Sequence, residues 1–338
     1  MLIHHTREVS VSDALDGERK IDLNPSLWPL LNLSTETAYV ALRRQHYGER
    51  SVDLLDQQGI PLGYFMRADT VIRGIPIKFI HPLIGWESTG WVGCDSWSAD
   101  RWEQALRQLR GTEKWDLFQS LWQSPTESAQ LGRAALATGM PHLIRSCPLR
   151  VIHGFRSWDE YYQSLSKKKR DRYKNSLKPL QKLGLRVGSN VSYEQIQNLY
   201  IRRILRMPGS DNAKTSRYQE FLKDWLQALI KDNRLETVGI WQGDRLVAMA
   251  LGFWRDRIFF FNFTAYDPEF RAASPGSIAI YKIIEVALNK GAELFSFMGN
   301  FEYEKLYSSQ VLETHRVDVF SRSLKGRLLH ALMKFKKK

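Results

Sequence analysis

"YDPEFRAASPGSIAIYKIIEVALNKGAELFSFMGN", residues 266–300, is the stretch whose reading decides the fold. It leaves an aromatic strand end through Asp267-Pro268 and passes Ser274-Pro275-Gly276-Ser277. An apolar segment with neither Gly nor Pro follows, before Gly291. Pro at a first helical position and Gly just past the last are start and stop signals, so a helix is expected between them. "ELFSFMGN" then reads as a second strand. A helix start offers N–H groups without intrahelical acceptors and the positive end of the dipole, and a glycine there lets a phosphate approach the main chain.

Upstream, residues 235–267 read as three antiparallel strands with turns at Gly243-Asp244 and Arg255-Asp256. Downstream, "VLETHRVDVFSRS" supplies a last strand. Before the meander come a strand at "PLRVIHGF" and a helix capped by Ser157 that runs through "SWDEYYQSLSKKKRDRYKNSLKPLQKLG", with Pro179 expected to kink or divide it. Two further helices are expected at residues 192–207 and 216–232, with Pro208-Gly209 between them. The N-terminal part reads as strands near residues 39–45, 51–72 and 75–85, then a helix from Ser98 to Gly111, a strand at 115–123 and a helix ending at Gly139.

A chain of 338 residues exceeds one ordinary core, which makes two domains the default. Its 43% hydrophobic and 25% charged residues are those of a globular protein. No run approaches a membrane span and "MLIHHTREVS" lacks the core of a signal peptide, so a cytoplasmic location is expected. Cys94 and Cys147 have no ligand-like spacing, so no metal is expected and both read as buried thiols. The net charge of +13 is concentrated: nine Lys or Arg against one Asp from Lys167 to Arg186, and seven against no acid from Arg322 to Lys338.

A meander, a loop and a helix in this order resemble the GNAT acyltransferase superfamily. The details resemble its CelD-like, cellulose-biosynthesis-associated branch: Tyr266-Asp267-Pro268, Ser274-Pro275-Gly276, Ala287 and Gly291 along the helix, then Gly299 and Tyr303. The likeness spans residues 40 to 320, tightest in the C-terminal half. Where the branch has Phe-Asp-Phe, this chain has Phe295-Ser296-Phe297, and its Tyr-Lys is interrupted here as Tyr303-Glu304-Lys305. The resemblance implies an α/β (α+β) fold of two tandem GNAT-like domains, each a mixed central sheet flanked by helices. Their expected bounds are residues 1–147 and 148–321, the second being the acyltransferase, with a basic amphipathic tail at 322–338.

It also implies a co-substrate, acyl-CoA or the phosphopantetheine of an acyl-carrier protein, held by Ser274, Gly276, Ser277, Ile278 and Arg271. Arg170, Lys174, Asn262 and Lys305 fall on the acceptor side. The acceptor is an amine, whether a Lys or Orn side chain of a peptide, a small molecule or a sugar. Acyl transfer to it needs donors for the oxyanion and a proton source for the leaving thiolate. Neither cysteine has a nucleophile context, so direct attack is expected. Tyr303, Asp267, Glu302 and Glu304 are the candidates for proton transfer, with Tyr303 the leading general acid. Asp267 reads equally as the bracket of its loop, and His153 as a packed imidazole.

The cationic helix reads as a solvated face or as a contact for a phosphorylated carrier, an acidic peptide or tRNA. Fem transferases, which use aminoacyl-tRNA, share the paired GNAT layout and supply the alternative function, although the long helical hairpin typical of them is not visible here. In the tail, Leu324, Leu328, Leu332 and Phe335 recur at helical spacing beside cations. Such a helix can lie on an anionic bilayer or dock on its own domain, and both readings stay open.

Overall fold

The computed structural model describes residues 18–23, 41–42, 45–46, 50–55, 61–72, 74–81, 98–112, 114–204 and 216–335. In chain order the elements are β1 (Arg19–Ile21), β2 (Arg50–Leu55), β3 (Pro61–Ile72), β4 (Ile75–His81), α1 (Ala99–Thr112), β5 (Leu117–Gln123), α2 (Pro125–Ala137), β6 (His142–Ser146) and β7 (Leu149–His153). They continue as α3 (Trp158–Ser164), α4 (Lys167–Lys182), β8 (Leu185–Ser189), α5 (Tyr193–Ile204), α6 (Ser216–Lys231), β9 (Leu235–Gln242), β10 (Arg245–Arg255) and β11 (Ile258–Tyr266). The last are α7 (Pro275–Asn289), β12 (Leu294–Ser296), β13 (Gln310–Leu312), β14 (His315–Phe320) and α8 (Leu324–Lys334). Expectations at Gly59-Ile60, residues 82–85, Cys94, Pro208-Gly209 and Lys336 to Lys338 fall outside the described residues.

The chain forms two compact units: residues 1–20 with 150–311, and residues 21–149 with 312–338. The second unit holds a mixed sheet ordered β2-β3-β4-β5-β14-β6 among the described residues. β4 and β5 run parallel, with α1 crossing between them, and β14 is antiparallel to both its neighbours. One face is covered by Trp102, Leu106 and Leu109 of α1 and Leu131 of α2. Leu329 of α8 packs on the other, against Ile77, Phe79 and Phe320.

In the first unit the sheet order is β1-β13-β7-β12-β11-β10-β9-β8. It repeats the plan: β8 to β11 form an antiparallel meander, α7 crosses over, β12 returns parallel to β11, and β7 closes antiparallel on β12. Both units are therefore α/β layers on the same topology. α7 is buried nearly all round, because the sheet lies on one side of it and α3 and α4 on the other. The opposite sheet face takes Tyr200 of α5 against Phe263, and Trp225 of α6 against Phe253.

Several local expectations change. The helix expected from Ser157 breaks at Leu165, which is extended, and restarts under Ser166, whose Oγ accepts from the Lys169 amide. Pro179 does not divide α4, which runs through it to Lys182. β6 and β8 form where no strand was expected. Within residues 39–45, expected as a strand, 41–42 and 45 are helical. The expected last strand is two: β13 joins the sheet of the first unit and β14 that of the second, so residues 312–338 fold with the N-terminal unit.

Candidate active site

β11 and β12 pair only at Ile258 with Leu294, Phe259 with Phe295 and Phe260 with Ser296. Beyond Phe260, β11 keeps β10 on one side and has no ladder on the other among the described residues. Two features force the divergence. Asn262 is the extra residue of a β-bulge, since Phe261 and Phe263 face the consecutive Gly252 and Leu251, and a bulge bends its strand. On the other side the chain leaves β12 through Met298 at φ 59°, with the Met298 amide donating to Ser296 Oγ at 3.2 Å. A buried Ser thus pins this turn, and the rings of Phe295 and Phe297 pack beside it at 4.9 Å.

α7 begins beside the open stretch of β11. Its cap residue, Ser274, is left-handed (φ 48°), makes no side-chain capping bond, and no acid lies in the first turn. No side chain caps this start; Pro275 has no N–H and the Ser277 amide donates to the Ser274 carbonyl at 3.0 Å, which leaves the Gly276 amide as the one at the helix start with neither a side-chain nor a backbone acceptor. A Cβ on Gly276 would meet the Tyr266 ring at 3.1 Å and Thr264 Oγ1 at 3.6 Å, so this glycine admits the strand-end tyrosine. Ile278 is buried in the core, whereas Ser277 hydrogen-bonds the hydroxyl of Tyr307. Arg271 is exposed on the preceding 3-10 turn.

The far wall is the segment after β12. Arg150 on β7, fully buried, reaches it with its whole guanidinium: Nε and Nη2 donate to Asn300 Oδ1 at 3.1 and 2.7 Å, Nη1 to the Ser308 carbonyl at 2.9 Å, and Nη2 also to Glu18. A 3-10 turn, Glu302–Leu306, then brings Glu304 inside. Glu304 is completely buried; its Oε2 accepts from the Phe301 amide at 2.9 Å and Oε1 has no partner. Burial pushes its pKa up to about 8, against the Phe301 amide, the Tyr303 hydroxyl and the Arg150 charge, which favour the carboxylate. Tyr303 keeps 41% of its surface exposed, its ring stacked on Phe301, with its hydroxyl near the buried Glu304. Burial and the Glu304 charge raise the phenol, and Arg203 nearby opposes them. Arg203, from α5, donates to the Thr264 carbonyl on the open stretch of β11. Lys169 of α4 lies near Arg150 and Glu18; burial and then the Arg150 charge lower its pKa.

The expected residues divide accordingly. At the start of α7 Ser274 is exposed and Ser277 half-buried, whereas Gly276 is buried under the Tyr266 ring; Asn262 sits at the bulge of β11, and Tyr303 is partly exposed. Asp267 takes the bracket role: its Oδ1 caps the Glu269 amide and its Oδ2 pairs with Arg245 at 2.5 Å and Arg202 at 3.6 Å. Burial raises its pKa, but the Arg245 and Glu269 hydrogen bonds and both cations outweigh that and hold it below the ordinary value. Glu302 is on the surface, paired with Lys305 at 2.8 Å, while Lys305 is half-buried and also lies 3.9 Å from the buried Glu18. His153 is packed, its Nδ1 on the Glu293 carbonyl at 2.9 Å. Lys174 is exposed on α4.

Arg170 turns back onto its own segment: its Nη1 donates to the Gln163 and Leu165 carbonyls at 2.9 and 2.6 Å, capping the end of α3. Arg170→Ala is expected to lower stability by about 1 kcal/mol while leaving donor affinity unchanged, measured by urea unfolding and calorimetry. The sequence reading named Glu304 only among alternatives and missed Arg150 and Arg203. A lone Arg inside the apolar run "PLRVIHGF" was the available signal for Arg150.

Residues 167–306, which carry this opening, match the family model described as an acetyltransferase (GNAT) domain. The site therefore lies in a GNAT-type transferase fold. FemX is similar over 93% of this chain and 99% of its own, with a TM-score of 0.59 at 11% identity. The C-terminal domain of a lysylphosphatidylglycerol synthetase from Agrobacterium fabrum covers 88% of this chain and 91% of its own (TM-score 0.53, 12% identity). L-PGS from Bacillus licheniformis covers 91% and 99% (TM-score 0.51, 12% identity). At such identities these likenesses speak for the fold. Comparison with curated protein sequences gives no match. Among the described residues there is no cluster of His, Cys, Asp or Glu fit to hold a metal.

Proposed function

We propose that the unit of residues 150–311 transfers an acyl group from a phosphate-bearing thioester, acyl-CoA or acyl-carrier protein, to an amine by direct attack. The observation that carries this reading is the opening itself: an unpaired stretch of β11, the uncapped start of α7 and a buried carboxyl share one place. The resemblance of residues 266–307 to the CelD-like branch supports it. The uncapped start of α7, with Arg271 beside it, suits the phosphates of the donor. The amine nitrogen attacks the thioester carbonyl carbon, and backbone N–H groups of the divergent strands stabilise the oxyanion. As the C–N bond forms and the C–S bond breaks, the amine's proton passes to the Tyr303–Glu304 pair. The departing sulfur takes a proton from the Tyr303 hydroxyl, which Glu304 refills. The net movement is one proton from nitrogen to sulfur.

A second reading, aminoacyl-tRNA-dependent transfer, rests on the exposed cations of α4, Lys167, Lys168, Lys174, Lys178 and Lys182, and on the fold shared with FemX. Calorimetry with CoA, acyl-CoAs of several lengths and acyl-carrier protein separates the two. Binding of one of these donors is expected, with no salt-dependent gel shift of tRNA. Silence from every thioester together with a steep salt-sensitive tRNA shift reverses the assignment.

A further inference from the structure

α8 is docked, and the way it docks leaves a second apolar face uncovered. Ser323 Oγ caps it by accepting from the Gly326 amide, Leu329 is buried in the core, His330 packs edge-on to Phe320, and Arg145 donates to the Met333 carbonyl. Lys325 reaches Asp116 at 3.1 Å. These contacts fix the helix by one side. On the other, Leu324 is 86%, Leu328 50% and Phe335 82% exposed. At about 100° per residue the three fall within roughly 40° of one another, with Leu332 next to them. Exposed Arg327 and Lys334 run along one edge of this stripe, and Lys336 to Lys338 follow in sequence. From Arg322 to the end there are seven cations and no acid.

We propose that this stripe is the surface by which the protein docks on an anionic lipid bilayer, α8 lying flat in the headgroup plane with Leu324, Leu328 and Phe335 among the acyl chains. Domain packing does not account for the stripe, because the helix is already held through its other face. The charge selects the occupant. A second copy would bring one cationic helix against another, whereas anionic headgroups neutralise Arg327, Lys334 and the terminal lysines. The helix does not span: no helix among the described residues is long and apolar enough to cross a membrane. A short apolar stripe and a basic patch are each weak anchors, and together they give reversible binding that weakens with salt.

The test is sedimentation of the full chain with vesicles of phosphatidylcholine, alone or mixed with phosphatidylglycerol, at low and high salt. The chain is expected to bind only the mixed vesicles and to be released by salt. The triple variant Leu324→Ser, Leu328→Ser, Phe335→Ser is expected to bind about tenfold more weakly or worse. Arg327→Glu with Lys334→Glu is expected to do the same through charge. Because all five side chains are exposed, melting temperatures should be unchanged, which keeps a binding loss interpretable. Failure of the wild type to bind mixed vesicles at low salt overturns the proposal. So does equal binding by the triple variant, or a concentration-dependent dimer that the triple variant abolishes, which would assign the stripe to a second copy. Capture of an acidic protein without any vesicle binding would likewise count against lipid.

Discussion

Glu304→Gln is expected to lower kcat/KM by on the order of 100-fold or more, with donor affinity by calorimetry unchanged. The reason is its position. Glu304 is completely buried, held by the Phe301 amide and close to the Tyr303 hydroxyl, and has one carboxylate oxygen without a partner. With a pKa near 8, it accepts a proton only when pH approaches that value, so wild-type kcat/KM should rise through an apparent pKa of about 8 and level off above it. The Gln variant should show no such rise. Stability must run the other way. The folded-state pKa lies above the ordinary 4.5, so the native state holds a proton that the unfolded chain releases. The stabilisation is complete below about pH 4.5 and is lost as pH climbs through 8, by on the order of a few kcal/mol. Glu304→Gln is neutral throughout and should therefore lose less stability than wild type between pH 6 and 9. Paired rate and unfolding profiles decide the matter: activity within twofold of wild type with the same pH midpoint would falsify the base role.

What could be read from the sequence, and what could not, follows from how far each feature reaches. The 274–296 segment was legible because Pro275 and Gly291 punctuate it and because the flanking strands are apolar runs with turn residues at their ends. The break between α3 and α4 was not. Leu165 is a good helix former, and what ends α3 there is the Ser166 cap together with Arg170 turning back onto Gln163 and Leu165. Likewise, nothing local to "HRVDVF" tells which sheet β14 completes, since alternation specifies a buried face and not its partner.

The site shows the same division. The start of α7 announces itself locally, whereas Glu304 sits between Tyr303 and Lys305 and looks like a surface acid. Its burial depends on a 3-10 turn held by Arg150, whose Asn300 partner is 150 positions away. Its neighbours in sequence, Glu302 and Lys305, pair with each other at 2.8 Å, so local pattern does not tell which of these three charged side chains is buried.

That dependence makes Arg150 the position where fold and proposed chemistry are most tightly coupled. Arg150→Met keeps the volume and removes the charge. It leaves the nearly buried Glu18 without its closest cation, and Asn300 and the Ser308 carbonyl without their donors. Breaking a buried pair from one side strands the other charge, so a loss of about 3–5 kcal/mol is expected, seen as a fall in melting temperature on the order of 10 °C. Glu18→Gln combined with Arg150→Met should recover part of it, because no charge is then left unpaired. Activity separates the positioning effect from plain destabilisation. The Arg150 charge is a cause that favours the ionised form of Glu304, so its removal should move the kcat/KM midpoint to more alkaline pH. Arg150→Lys keeps a cation and loses the fork, so the midpoint should stay near that of wild type while stability falls by an intermediate amount. A methionine variant that unfolds within about 1 kcal/mol of wild type and shares its pH profile would mean that the loop after β12 holds itself.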